Sequence, residues 1–218
     1  MTAVADIAAI DDGGVNTAAE VRAALTSVLT LGSGGITLPP ASGWSWVNQG
    51  SATETVLSDG QILLAVPATG ANSLTGRIRS YTAPQTLTAK LVAGALAGGF
   101  GGIGLWCRES STGKLVIWHV RDYGAEWLGV ENWTNPTTYS SQPYAVTPSR
   151  FVHVWLEIED NNTNLIFKWS PDGQPGSFIT ATTISRTAFL AGGPDEWGWY
   201  VRDNNVIRNG VLSSLTES

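Results

Sequence analysis

From Phe151 to Glu159 the chain alternates without interruption. Val152, Val154, Leu156 and Ile158 fall on one side of an extended backbone, and Phe151, His153, Trp155, Glu157 and Glu159 on the other. A period of two is the signature of a strand, and a strand with one aliphatic face has to be laid against a second layer. The same texture fills the chain after Pro39-Pro40: short β-branched and aromatic runs separated by Gly, Asn, Asp, Ser and Pro. It predicts strands near Trp44–Asn48, Glu54–Leu57, Gln61–Val66, Leu74–Ser80, Leu87–Ala93, Gly102–Glu109 and Lys114–Asp122. Further strands are expected near Glu126–Trp133, Phe151–Glu159, Leu165–Ser170, Ser177–Ala181, Trp197–Arg202 and Val206–Leu215. Ser58-Asp59-Gly60, Ser111-Thr112-Gly113 and Asp160 to Thr163 mark hairpins, because these residues accept the backbone angles of tight turns. No period of twenty to fifty residues recurs, which excludes a propeller or solenoid. The expectation is an all-β, two-sheet antiparallel sandwich over residues 41–218.

Parity fixes which side chains meet. A turn at Asp160 to Thr163 that sets Ile158 opposite Leu165 also sets Leu156 opposite Phe167, Val154 opposite Trp169 and Trp155 opposite Lys168. A fold at Tyr123-Gly124-Ala125 pairs Val120 with Leu128 and Trp118 with Val130 toward the core. Arg121 and Trp127 then face each other outside, on the side that also carries His119 and Glu131. Both hairpins thereby present aromatic and polar side chains away from the aliphatic core. That face is either a contact surface or is covered by a third layer.

Residues 1–40 read differently. Thr17 to Leu31 is rich in Ala and Leu, with Val21, Ala24, Leu25, Val28 and Leu31 on one helical face, Asn16 or Thr17 placed to cap it, and Gly32 to Gly35 to end it. The subset Val21, Ala24, Val28 and Leu31 also fits a short heptad seam. This segment is expected to be a short helix that packs on its own domain or joins copies of the chain.

Composition narrows the function. Charged residues are 14% of the chain and the net charge is −6, with Lys90, Lys114 and Lys168 the only lysines, so no basic stripe exists to follow phosphates and nucleic-acid binding is disfavoured. One cysteine, Cys107, and two histidines are too few for a disulfide framework or a zinc cluster. No run of about 18 apolar residues offers a membrane span, and Met1 to Ala9 lacks the pattern of a signal peptide. Ten tryptophans are a large excess, and rings of that size belong to a thick core or to a contact surface. The stretch Trp133 to Ser149 is expected to be a long loop. It combines Trp133, Tyr139 and Tyr144 with small polar residues, a mixture suited to recognition, to a subunit contact or to plain cover.

The segment Glu157 to Gly173, EIEDNNTNLIFKWSPDG, and the closing Glu196 to Asn205, EWGWYVRDNN, resemble concanavalin A-like lectin/glucanase jelly rolls. Trp44 to Gly70 resembles the opening of such domains in virion proteins of tailed bacteriophages, and the Ala-rich helix before it is similar to their attachment segments. The likeness runs from about Ala41 to Thr216. It implies a virion fibre or appendage protein, attached to other virion proteins and to its sister chains, as a homotrimer, through residues 1–40. Its jelly roll would bind a host-surface glycan. The residues expected at that glycan are Trp127, Arg121, His119, Trp155, His153, Glu157, Trp133, Tyr139 and Tyr144. A capsid decoration protein without ligand is the alternative.

Catalysis is not expected. Glucanases of this fold place carboxylates at alternate positions of one strand, Glu-x-Asp-x-(x)-Glu, and this chain lacks that motif. Glu157 and Glu159 share a face without a third acid, and no Gly-x-Ser-x-Gly elbow is present. Asp160, Asn161 and Asn162, or Asp203, Asn204 and Asn205, have the chemistry of a calcium loop but are turn residues in any case. Gly98 to Gly102 lacks the lysine and helix of a phosphate cradle. No metal or other cofactor is expected.

Overall fold

The computed structural model describes residues 36–68, 72–94, 101–122, 126–146, 153–204 and 208–218. The expected helix at Thr17 to Leu31 lies outside these residues. The chain divides into two units, Met1–Ile36 and Thr37–Ser218, and the second is an all-β sandwich. Its strands are β1 (Ser45–Val47), β2 (Thr53–Val56), β3 (Ile62–Val66), β4 (Asn72–Ser80), β5 (Gln85–Ala93), β6 (Gly102–Arg108) and β7 (Leu115–Asp122). They continue as β8 (Glu126–Asn135), β9 (Thr138–Val146), β10 (His153–Asp160), β11 (Asn164–Ser170), β12 (Ile179–Ser185), β13 (Glu196–Asn204) and β14 (Arg208–Glu217). One antiparallel seven-stranded sheet has the order β1-β4-β13-β6-β7-β8-β9. The other, also seven-stranded and antiparallel, has the order β12-β11-β10-β5-β14-β3-β2.

The core between the sheets is built by the alternation seen in the sequence. Leu105, Trp118, Leu128, Leu156, Phe167 and Trp199, all fully buried, point into it from both sides. Each sheet contributes every second residue, which removes the aliphatic faces from water. The sheets are also tied directly: the Trp118 indole N–H on β7 donates to the Lys168 carbonyl on β11 at 2.8 Å. A register shift between Phe167 and Lys168 occurs at that point, and a bulge of this kind re-aims a backbone group out of the ladder.

Two expectations are corrected. Trp133 to Ser149 is not a long loop, because it supplies the end of β8 and the whole of β9 as far as Val146. The turn between them is tight, with Asn135 paired to Thr138 and the Asn135 side-chain oxygen accepting from the Thr137 N–H at 2.9 Å. In the β10–β11 hairpin Asp160 pairs with Leu165, so Ile158 meets Phe167, Leu156 meets Trp169, and Lys168 faces Glu157 instead of Trp155. The turn falls one residue later than expected because Asn161 closes it, its side-chain oxygen accepting from the Thr163 and Asn164 N–H groups at 3.0 and 2.8 Å. The displacement is two residues, an even number, and every side chain keeps its face.

Candidate functional site

The outward face of the β1-β4-β13-β6-β7-β8-β9 sheet is where parity placed most of the expected ligand contacts. Its register brings Gly76, Tyr200, Gly104, His119 and Gly129 into one row across β4, β13, β6, β7 and β8. Glycine alternates with a large side chain along that row. A Cβ on Gly104 would stand 2.2 Å from the Trp118 carbonyl oxygen, so this close approach admits no side chain there. Across the gap at Gly104 the Tyr200 hydroxyl lies 3.0 Å from His119 Nδ1.

The sheet is rolled, with its concave side outward. In a flat sheet β4 and β8 would stand roughly 19 Å apart, four steps of about 4.8 Å. Instead the Leu74 N–H on β4 donates to the Pro136 carbonyl, in the β8–β9 turn, at 2.8 Å. The roll encloses a second apolar cluster that includes Leu74, Ile78, Trp106, Ile117, Trp133 and Tyr200.

Beside this cluster sits a charged centre. Glu131 on β8 is 0% exposed, accepts from Arg121 Nη1 on β7 at 2.5 Å, and accepts from Arg202 Nη1 on β13 at 3.1 Å. The Trp133 indole N–H donates at 3.0 Å to Oε2, the oxygen that Arg202 also meets at 3.1 Å, while Arg121 holds Oε1. Burial alone would raise the Glu131 pKa, but the two guanidinium groups and the indole N–H outweigh it and hold the carboxyl below its usual range. Burial pushes His119 the other way, down to about 3, with Arg202 and Arg121 adding to the effect against Glu131, so the imidazole is neutral. Burial likewise raises the Tyr200 hydroxyl well above 10. The centre therefore holds one carboxylate between two guanidinium groups, a neutral imidazole and a protonated phenol, all shut away from water.

This arrangement corrects the expected exposure of several residues. His119 and Trp133 are 0% exposed and Arg121 is 6% exposed, because the roll closes over them. Trp155, on the outward face of the other sheet as parity required, is nonetheless buried. Gly173, at φ +73, lies against its indole, and the turn bearing Gly173 is held by Ser170, whose Oγ accepts from the Gly173 N–H at 2.8 Å. Its cation-π neighbour is Lys90, 5.8 Å from the ring centroid, and not Lys168. Glu157 is half-buried, accepts from the Thr88 hydroxyl at 2.9 Å, and shares Lys168 with Glu159, at 2.9 and 2.7 Å. Tyr144 packs inward against the inter-sheet core, its ring 6.4 Å from that of Trp118. The side chains of Trp127 and His153 lie outside the described residues.

Tyr139 is the expected contact residue left open. It is 47% exposed and stands edge-on to the buried Trp133 ring at 5.9 Å. In the same turn and strand Asn135, Thr137, Thr138 and Ser141 are also exposed. The sequence reading missed Arg202, Tyr200 and Trp106, which complete the enclosed centre. The signal was present in Glu196 to Asn205, where Tyr200 and Arg202 alternate with Trp199 and Val201. A cavity of about 150 Å³ lies elsewhere, at the start of β5 and the end of β10, lined by Gln85, Thr86, Glu159, Asn161 and Ser218 among others. Asp160 beside it is engaged by Arg186 at 2.8 Å and by the Tyr81 hydroxyl at 2.7 Å. Among the described residues no group of three or more His, Cys, Asp or Glu is placed to hold a metal ion.

No protein-family profile and no curated protein matches the chain. Solved structures do match. The carbohydrate-binding module CBM66 of Bacillus subtilis superposes with a TM-score of 0.54 at 13% identity, covering 84% of this chain and 96% of that one. The legume lectin-like domain of Entamoeba histolytica gives 0.52 at 12% identity, covering 81% of this chain and 89% of that one. The Bacteroides ovatus xyloglucan-locus protein GH43B gives 0.59 at 14% identity over 84% of this chain, which spans only 38% of that larger protein. Identities this low establish architecture alone: residues 37–218 adopt the lectin-like jelly-roll fold, two antiparallel sheets of seven strands each.

Proposed function

We propose that this domain is a non-catalytic carbohydrate-binding jelly roll, carried on a virion appendage of a tailed bacteriophage and joined to the particle through the segment before Thr37. The observation that carries the reading is Tyr139, an exposed ring set edge-on to a buried tryptophan on a strand and turn whose exposed residues carry hydroxyl and amide side chains. A half-exposed ring with small polar neighbours supplies area and hydrogen bonds to a saccharide at little entropic cost. The likeness to a carbohydrate-binding module and a lectin-like domain supports the same reading. Glycan contact is thereby assigned to the rim of the roll and not to its filled interior. The non-catalytic reading is supported by the carboxylates. Glu131 is sealed between two arginines, and Glu157 and Glu159 are bridged by Lys168, so none of these pairs with a second carboxylate across an open groove as a glycosidase requires.

A glycan array probed with the full chain and with Tyr139→Ala tests the proposal. Binding is expected to fall at least about fivefold in the variant, the loss typical of one contact ring, with far-UV circular dichroism unchanged and only a small drop in thermal midpoint as the edge contact with Trp133 is lost. A blank array for the unmodified chain, or equal binding by both, rejects the glycan assignment. Reducing ends released from polysaccharide and lost on Glu157→Gln would reject the non-catalytic one.

A further inference from the structure

Cations and acids are distributed differently over this fold. Of the twelve Lys and Arg, Arg22 and Arg150 lie outside the described residues, and each of the others is buried or half-buried. Asp59, Asp172 and Asp195, by contrast, are exposed. The cations are also engaged. Arg121 and Arg202 share Glu131 beneath the roll, and Lys168 bridges Glu157 and Glu159. Arg77, Arg108 and Arg186 meet Glu54, Glu196 and Asp160 at 2.9, 2.7 and 2.8 Å, and Arg79 meets Glu217. Lys90 and Lys114 stand over the rings of Trp155 and Phe189 at 5.8 and 5.1 Å, and Arg208 is 3% exposed. Thr134 to Val146, the turn and strand that carry Tyr139, contain no charged residue at all. Arg202, whose guanidinium lies 5.0 Å from the centroid of the Trp133 ring, is 2% exposed and bound to Glu131.

Taking the proposed glycan contact at Tyr139 as given, we infer that the glycan is uncharged and that this chain discriminates against sugars bearing uronate, sialate, sulfate or phosphate. An anionic group brought against the ring gives up hydration and needs a cationic donor in return. Among the described residues no cation is exposed to supply one. From solution such a sugar also approaches a chain of net charge −6 whose exposed charges, among the described residues, are carboxylates. An uncharged pyranose meets neither penalty. Its C–H face lies on the Tyr139 ring, and its hydroxyls exchange hydrogen bonds with the hydroxyl and amide side chains of the same turn and strand.

The probes are hexose and N-acetylhexosamine oligosaccharides and the same chains bearing sialic acid, uronic acid or sulfate, arrayed against the full chain and Tyr139→Ala. Uncharged members are expected to bind the unmodified chain at least about tenfold tighter than their acidic counterparts. Their Kd is expected to change less than about threefold between about 50 and about 500 mM NaCl, because no ion pair is present to be screened. A smaller preference or a steeper salt dependence, with binding still lost in Tyr139→Ala, overturns the charge selectivity while the glycan contact stands. A blank array, or equal binding by both proteins, overturns the contact at Tyr139 and the selectivity with it.

Discussion

His119 is neutral and has no exposed surface, a state that ties stability to pH with a definite sign. Its pKa is near 3 in the folded chain against an ordinary 6.5, so between those values the unfolded chain takes up a proton that the folded chain refuses. Stability from this residue is complete above pH 6.5 and falls as pH drops toward 3, by about 1.4 kcal/mol per pH unit. Glu131 acts in the same direction at lower pH: its depressed pKa stabilises the fold above the ordinary carboxylate value, and that contribution is lost as pH falls through the folded value. Urea unfolding at pH 7 and pH 5 checks the histidine contribution. The unmodified chain is expected to lose stability across that interval, and His119→Asn, which has no imidazole to protonate, to lose less. Tyr200 and Arg202 escaped the sequence reading, but the outward face of His119, Arg121 and Glu131 was legible in it. Their burial was not, because alternation distinguishes the two faces of a strand but is silent on whether the outer face is later covered. Trp155 makes the same point: parity put it outside the core, and the turn at Gly173, eighteen residues on, lies over it.

At the scale of strands, every predicted run overlaps a strand among the described residues, and β9 is the strand the pattern did not reveal. Thr138 to Val146 contains Pro143, exposed on an edge, and carries no clean alternation because its register against β8 slips. The turn before it, Asn135-Pro136-Thr137, has the sequence of a loop as much as of a hairpin, since Asn-Pro is common in both settings. The Asn135 side chain decides the matter, its oxygen meeting both the Thr137 N–H and the Thr137 hydroxyl at 2.9 Å. Asn135→Ala is expected to cost about 1 kcal/mol and to loosen the turn. Because the neighbouring Pro136 carbonyl accepts from Leu74, hydrogen exchange of the Leu74 amide is expected to quicken in that variant more than exchange of β6 amides. Equal changes at both would mean that the turn does not hold the roll shut.

For the molecule as a whole, the two-layer architecture followed from alternation and turn chemistry, whereas the roll depended on glycines whose purpose emerges only from register. Gly76, Gly104 and Gly129 are far apart in the chain and fall into one row only once β4, β6 and β8 are assembled. The strand order also has a consequence for how the chain reaches this state. β13 lies between β4 and β6 in one sheet, and β14 lies between β5 and β3 in the other, so the last two strands are the central planks of both layers. Neither half of the sandwich can be completed early and held in reserve during synthesis. A chain shortened to end at Asn204 is expected to lack cooperative unfolding in calorimetry, not to retain one intact sheet, and assembly of the full chain is expected to be slow, in the range of milliseconds to seconds typical of distant pairings. Until β13 and β14 have been made neither sheet can close, so the earlier strands stay uncommitted until the two planks that join them arrive.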